Sequence, residues 1–294
     1  MKTTWQSDTG KIERIIVKTA VAAFQNEQTI GQQWAALNYP SAPDFTIAKR
    51  ESEAFIALLQ SLGIEVLTMP ANEPLTLDSI YVRDTAIVCD NGVILCNMGK
   101  PARGDEPAAM RRALEQWNIP VCGAICGAGR IEGGDVAWVD ERTLAVARGY
   151  RTNDEGIRQL RALLGDCIDE LIVVPLPHFR GPSDVFHLMS IFSPVDKDLA
   201  LVFSKLMPIP FREALLGRGI ELIEVAEEEY DTLGCNALAV APRVLVMSEG
   251  NPKTKARLEA AGVTVHEYRG NEISVKGEGG PTCLTRPLRR SLSR

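Results

Sequence analysis

Near the C-terminus, the run Gly277-Glu278-Gly279-Gly280-Pro281-Thr282-Cys283-Leu284-Thr285 brings three glycines and a proline up to a cysteine. Such a turn leaves little side-chain bulk beside the thiol, which suits a sulfur that must reach a substrate and makes Cys283 the candidate nucleophile. Three further polar groups stand where loops lead into β-rich runs. Asp78-Ser79-Ile80-Tyr81-Val82-Arg83-Asp84 carries two acids six residues apart, and Ile131-Glu132-Gly133-Gly134-Asp135-Val136 carries acids beside glycines. Asp184-Val185-Phe186-His187-Leu188-Met189-Ser190 carries one of only three histidines. Each alone has an ordinary structural explanation as a turn cap, a solvated acid or a satisfied core imidazole. Together they hold what hydrolysis at a cationic, planar carbon requires. A thiolate attacks, a histidine protonates the leaving group and then activates water, one carboxylate orients the histidine, and another balances the substrate's charge. The electrophile is itself a cation, so no oxyanion hole is needed.

These groups need a scaffold, and the hydrophobic periodicity supplies one. A short β-rich run, a turn, a helix-period stretch and a second β-rich run recur along the chain. The first copy runs from Ile15-Ile16-Val17 through a helix at Lys49 to Leu62 and on to Ile64–Leu67. The second has Thr85–Val88, Gly92–Leu95, a helix at Glu106 to Trp117, and Ile119–Val121. The third has Val136–Val139, Thr143–Val146, a helix at Asp154 to Leu164, and Leu171–Val174. The fourth has Leu199–Val202, a helix at Pro210 to Gly217, and Ile220–Ile223. The fifth has Ala237–Val240, Val244–Met247, a helix at Pro252 to Ala261, and Val263–Val265. Five ββαβ units cannot each bury their own apolar face, so they are expected to share one core over residues 1–294 as a closed, five-bladed, pseudo-symmetric α/β propeller. The longest break in the rhythm, Phe24 to Ala48, is a candidate lid over a site at the ring's centre.

Composition narrows the class. The chain of 294 residues is 45% hydrophobic and 24% charged, that of an ordinary globular protein able to bury a substantial core. A net charge of -6 argues against nucleic-acid or anionic-membrane partners, and no apolar run is long enough to span a bilayer. With a polar N-terminus the expected location is cytoplasmic. Seven cysteines without pairing rhythm point to reduced thiols, and Cys122-x3-Cys126 lacks the partners of a zinc site. The arginine-rich tail, Arg286 to Arg294, reads as a solvated end.

The ordered motifs Val82-Arg83-Asp84, Glu132-Gly133-Gly134-Asp135, His187-Leu188 and Gly279-Gly280-Pro281-Thr282-Cys283 make the sequence similar to the penteins. This guanidine-modifying superfamily includes arginine deiminases, dimethylarginine dimethylaminohydrolases and amidinotransferases. The resemblance implies Cys283 as nucleophile, His187 as general acid and base, Glu132 beside histidine and guanidinium, and Asp84 as guanidinium clamp. It also implies two arginines on the substrate's α-carboxylate, nineteen residues after Asp84 and nineteen after Glu132, which are Arg103 and Arg151. Asp78 is a candidate orienter of the substrate's polar end. Met189 stands where free-arginine deiminases have an aspartate, which favours an alkylated guanidine. Arg83 stands where many dimethylaminohydrolases have a glutamate, which points the other way. The implied activity is cofactor-free hydrolysis of an Nω-methylated arginine to citrulline and an amine through a covalent thiouronium. Arginine deimination, amidino transfer and silent binding of an arginine derivative are the alternatives. The expected partner is a small cationic guanidine amino acid, and a homodimer is compatible with the sequence.

Overall fold

The computed structural model describes residues 4–71, 74–184 and 186–291. Val185 of the histidine motif and positions 292–294 of the tail lie outside them. Within these residues, fifteen strands form five three-stranded sheets.

Four sheets follow the expected unit in chain order. In the sheet of β3 (Ala86–Cys89), β4 (Gly92–Leu95) and β5 (Val121–Ala124), β4 lies antiparallel to β3 and parallel to β5, with helix α4 (Glu106–Gln116) making the crossover. The next sheet repeats this with β6 (Val136–Trp138), β7 (Thr143–Arg148), helix α5 (Asp154–Leu164) and β8 (Glu170–Pro175). Its helix shows why the stretch is helical. Asn153 accepts from Gly156 N at 2.8 Å, Asp154 and Glu155 occupy the first turn, and Ile157, Leu160 and Leu164 make one buried stripe. The third such sheet has β9 (Phe192–Asp196), β10 (Leu199–Val202), helix α6 (Ile209–Gly217) and β11 (Glu221–Glu224). The fourth has β12 (Leu238–Ala241), β13 (Val244–Ser248), helix α7 (Pro252–Ala260) and β14 (Thr264–Tyr268).

The remaining sheet joins the two ends of the chain. Its middle strand β1 (Lys11–Val17) runs parallel to β2 (Glu65–Thr68) after helix α3 (Phe45–Ser61), and antiparallel to β15 (Thr285–Ser291). The arginine-rich tail is therefore not a solvated end. Arg286 and Arg290 are buried, and Arg290 Nη1 donates to the carbonyls of Gly10 and Ala239 at 2.6 and 2.8 Å. Backbone pairing with β1 recruits a stretch whose charge alone suggested water. Neighbouring sheets touch through their first strands, β15 on β3, β6 on β9 and β9 on β12, while β12 meets β1.

The segment from Phe24 to Ala48 is more ordered than its lack of period suggested. It contains helix α2 (Glu27–Gln33), capped by Asn26, and preceded by the short α1 (Ala20–Phe24). Gln33 accepts from Leu77 N at 3.0 Å, and Leu37 and Tyr39 are buried. No helix among the described residues is long and apolar enough to cross a membrane, and all seven cysteines are free.

Candidate active site

Each sheet delivers one polar side chain from the few residues that precede one of its edge strands. Asp84 lies two residues before β3, Glu132 four before β6, His187 five before β9, Asn236 two before β12, and Cys283 two before β15. Single 3-10 turns at Val82–Thr85, Gly133–Asp135 and Leu188–Ser190 carry or directly follow the first three. All five are buried.

Around the sulfur, Asn236 Nδ2 donates to Cys283 Sγ at 3.3 Å while its Oδ1 accepts from Thr282 N at 3.1 Å and Thr282 Oγ1 at 2.6 Å. The neighbouring glycine is required here, because a Cβ on Gly280 would come within 2.6 Å of the Asn236 amide. Burial pushes the Cys283 thiol up and the Asp84 charge adds to this, against the opposing hydrogen bonds from Asn236 and Thr282. The resting group is a thiol 7% exposed.

The histidine is in the opposite state. Nε2 of His187 lies 2.8 Å from Glu132 Oε2, and Nδ1 lies 4.0 Å from Asp84 Oδ1. Burial works against the imidazolium, but Asp84, Asp135 and Glu132 outweigh it and push His187 up to about 9. It is a cation at neutral pH, so Nε2 donates to Glu132. Glu132 stays ionised despite complete burial, because that hydrogen bond, the imidazolium charge and the nearby arginines hold its carboxyl well below the usual range. Asp135 fixes the turn, accepting from Leu188 N at 3.1 Å and from Thr152 Oγ1 at 2.6 Å. Gly134 packs between His187 and Asp84, where a Cβ would approach Asp84 Oδ1 to 2.8 Å. Asp84, Glu132 and His187 hold ligand atoms within 4.8 Å of one another, a spacing that could take a metal ion. Their present partners are each other and the arginines.

The two expected carboxylate-binding arginines differ. Arg103 is committed to protein acceptors: Nη1 donates to Asp84 Oδ2 at 2.6 Å, Nη2 to Tyr81 O at 2.8 Å and Glu106 Oε2 at 2.8 Å, and Nε to Glu106 Oε1 at 2.9 Å. Arg151 makes only long contacts, 3.3 and 3.5 Å to the Glu132 carboxylate and 3.3 Å to Asp184 O. Asp78, the expected orienter, pairs with Lys100 Nζ at 2.6 Å, and that ammonium also donates to Leu37 O at 3.0 Å. Arg83 turns away from the site. Its guanidinium pairs with Asp8 at 3.0 Å in the core, and it lines neither cavity beside Cys283.

Two cavities meet at Cys283 and Glu278. One, of about 20 Å³, is charged, lined by Asp78, Asp84, Lys100, Arg103 and Arg151 together with Leu37 to Tyr39. The other, of about 70 Å³, is lined by His187 and Met189 and by aromatic side chains.

Sequence reasoning missed Asn236, Lys100 and Glu106. Asn236 had a usable signal, since it precedes its β-run by the same two residues that separate Cys283 from its own. Glu106 lies three residues after Arg103, a spacing that marks helical neighbours.

Five ββαβ sheets that each bring one polar group to a buried cysteine are the marks of the pentein class of guanidine-modifying proteins. Residues 19–290 match the family model described as N,N dimethylarginine dimethylhydrolase, eukaryotic, and the chain belongs to that family. It is 27% identical over 243 residues to the uncharacterised protein YkgA of Bacillus subtilis, covering 83% of this chain and 80% of the relative. It is 28% identical over 263 residues to an arginine deiminase of Mycobacterium marinum, covering 74% of this chain but spanning only 61% of the deiminase. The dimethylarginine dimethylaminohydrolase of Pseudomonas aeruginosa, solved with citrulline, superposes with a TM-score of 0.76 at 21% identity over 94% of this chain and 98% of that one. At that identity the superposition speaks for the fold alone.

Proposed function

We propose that the chain is a cysteine-dependent hydrolase of a guanidinium amino acid, with Nω-methylated arginine as the first substrate to test, and that its five sheets form the blades of a single closed α/β propeller with the site on its axis. The observation that carries the reading is a neutral, hydrogen-bonded Cys283 thiol and a cationic His187 lining the same cavity wall. That is the resting pair for attack on a carbon that is already positively charged.

The substrate guanidinium would lie against Asp84 and Glu132, its amino-acid end in the charged cavity. There Arg151, whose contacts are long, takes the α-carboxylate, and Asp78 with Lys100 frames the polar end. Arg103 contributes its charge to the wall and fixes Asp84. A bound cation beside Cys283 lowers the thiol's pKa, so the nucleophile forms when substrate is present. The Cys283 sulfur then bonds to the guanidinium carbon. His187 gives its Nε2 proton to the departing nitrogen as that carbon–nitrogen bond breaks, leaving an S-linked thiouronium. Water enters, passes a proton to neutral His187 and adds to the carbon. The carbon–sulfur bond breaks to return the thiolate and release the ureido product. The amine departs neutral and becomes an ammonium ion with the proton that the ureido product sheds when the thiolate leaves. That Leu37 to Tyr39 line the charged cavity supports reading 24–48 as a lid.

Purified protein and its Cys283→Ser variant, each given asymmetric dimethylarginine, monomethylarginine and arginine, test this by quantifying ureido product and released amine. Turnover of the methylated substrates that disappears in the variant is expected. Turnover that survives in the variant would overturn the mechanism, and a preference for arginine would move the activity to deimination.

A further inference from the structure

Cys283 stands between two cavities, and only one is accounted for by the amino-acid end of a substrate. The second begins at His187, the group that must protonate the departing nitrogen. Whatever that nitrogen carries therefore projects into it. Phe179, Phe186, Met189, Tyr230 and Leu233 give much of its lining an apolar and aromatic character. The rings form an angular cluster, Phe179 to Phe186 at 5.6 Å and Phe179 to Tyr230 at 6.0 Å between centroids. The cavity measures about 70 Å³, against about 20 Å³ for the charged cavity on the other side of Cys283, so it is the roomier of the two.

Acids share this lining. Asp184, Asp231 and Glu278 belong to it, and Arg180, its cation besides His187, bonds Asp231 at 2.6 Å and lies 4.8 Å from the centre of the Phe179 ring. This pair ties the loop before His187 to the turn at Tyr230. Phe179 is held with φ of 43°, an uncommon backbone state for a bulky side chain, and remains 39% exposed. A chamber lined by both aromatic rings and acids suits a group that enters as an uncharged substituent of a guanidinium and leaves as a substituted ammonium ion.

We infer that this cavity is a leaving-group subsite that selects guanidines whose departing nitrogen bears an apolar or aromatic substituent larger than methyl, such as propyl or benzyl. The inference rests on the hydrolase reading above and adds the identity of the amine. The reaction balances as before: water and the Nω-substituted arginine give the ureido amino acid and the substituted ammonium ion.

The test is a series of arginine and its Nω-methyl, Nω-propyl and Nω-benzyl derivatives, followed by release of the corresponding amine, with binding to Cys283→Ser measured by calorimetry in parallel. Each buried methylene discriminates by roughly tenfold or more in a fitted pocket, so kcat/KM for the propyl or benzyl substrate is expected to exceed that for methyl by at least about tenfold. Phe179→Ala is expected to shrink that ratio several-fold, and Phe179→Tyr to keep it. A ratio at or below one, or a ratio unmoved in Phe179→Ala and in a second variant, Tyr230→Ala, would overturn the subsite. If no derivative turns over while Cys283→Ser binds the benzyl compound more tightly than arginine, the subsite stands and the hydrolase reading falls. If the variant binds none of them, both fall.

Discussion

Asp84 with Arg103 and Glu132 with Arg151 are one sequence device used twice, a carboxylate followed nineteen residues later by an arginine, and they reach different states. The first pair is closed. Arg103 bonds Asp84 at 2.6 Å and is held from behind by both oxygens of Glu106, all three side chains being 3% exposed. The second is loose, with Arg151 no nearer than 3.3 Å to Glu132, whose better partner is His187 at 2.8 Å. The difference lies three residues downstream. Glu106 reaches back to its arginine, whereas Asp154, at the same offset from Arg151, is shorter by a methylene and points to solvent near Arg148 at 3.5 Å. Spacing locates an arginine at the site. The neighbour decides whether it frames the protein or is available to a ligand.

The largest effect that follows is on stability. Arg103→Met leaves Asp84 and Glu106 buried without their cation and is expected to destabilise the fold by about 3–5 kcal/mol. Arg151→Met, whose contacts are long, is expected to cost less than about 1 kcal/mol. Urea unfolding of the two variants separates them, and equal losses would erase the distinction.

His187 sits between the two pairs and gives the next largest effect. Its pKa is raised from 6.5 to about 9 in the folded state. The native protein therefore binds this proton more tightly than the unfolded chain. The contribution is full below pH 6.5, shrinks from there to about 9 and is absent above. It is on the order of 3 kcal/mol. Stability measured across that window should fall more steeply in the wild type than in His187→Ala. Activity should lose its acid catalyst along a basic limb near pH 9, and Glu132→Gln should shift that limb downward.

Kinetics distinguish the pairs next. Arg151→Met is expected to raise KM by about 10–100-fold with little change in kcat, the pattern of a group that holds the substrate equally before and during reaction. A fall in kcat alone would place Arg151 with the frame. Asn236→Ala, which removes the donor at 3.3 Å from the sulfur, is expected to lower kcat about tenfold and raise the pKa of Cys283 alkylation. The smallest effect tests the explanation itself: Asp154→Ala is expected to change stability by no more than about 0.5 kcal/mol, since its ion pair is exposed, whereas Glu106→Gln should loosen Arg103.

Much of this was legible in the sequence. Four of the five site groups, Asp84, Glu132, His187 and Cys283, announce themselves because a polar residue at the head of a β-run is conspicuous, and Glu132 and Cys283 also stand near glycines. Helices α4, α5 and α7 lie within about two residues of their periodic stretches. What escaped depends on partners far along the chain. Strand β15 is arginine-rich and pairs with β1, whose partners lie 268 residues away at Val17 and Thr285 and 280 away at Lys11 and Ser291, so no local pattern reveals its burial. Strand β9 carries Pro194, which normally argues against a strand and is tolerated here at a sheet edge. The commitment of Arg103 to Glu106 was readable as spacing but not as geometry, because an arginine's donors can serve either a ligand or the protein.

The central claim is that Cys283 carries the substrate's carbon. The most direct measurement is rapid acid quenching during turnover of a methylated arginine, followed by mass spectrometry of the peptide containing Gly279 to Thr285. The account predicts a transient adduct on Cys283 equal to the substrate less its departing amine, and none in Cys283→Ser or without substrate. Full turnover with no adduct at any quench time, or product formed by the Cys283→Ser variant at the wild-type rate, would contradict it.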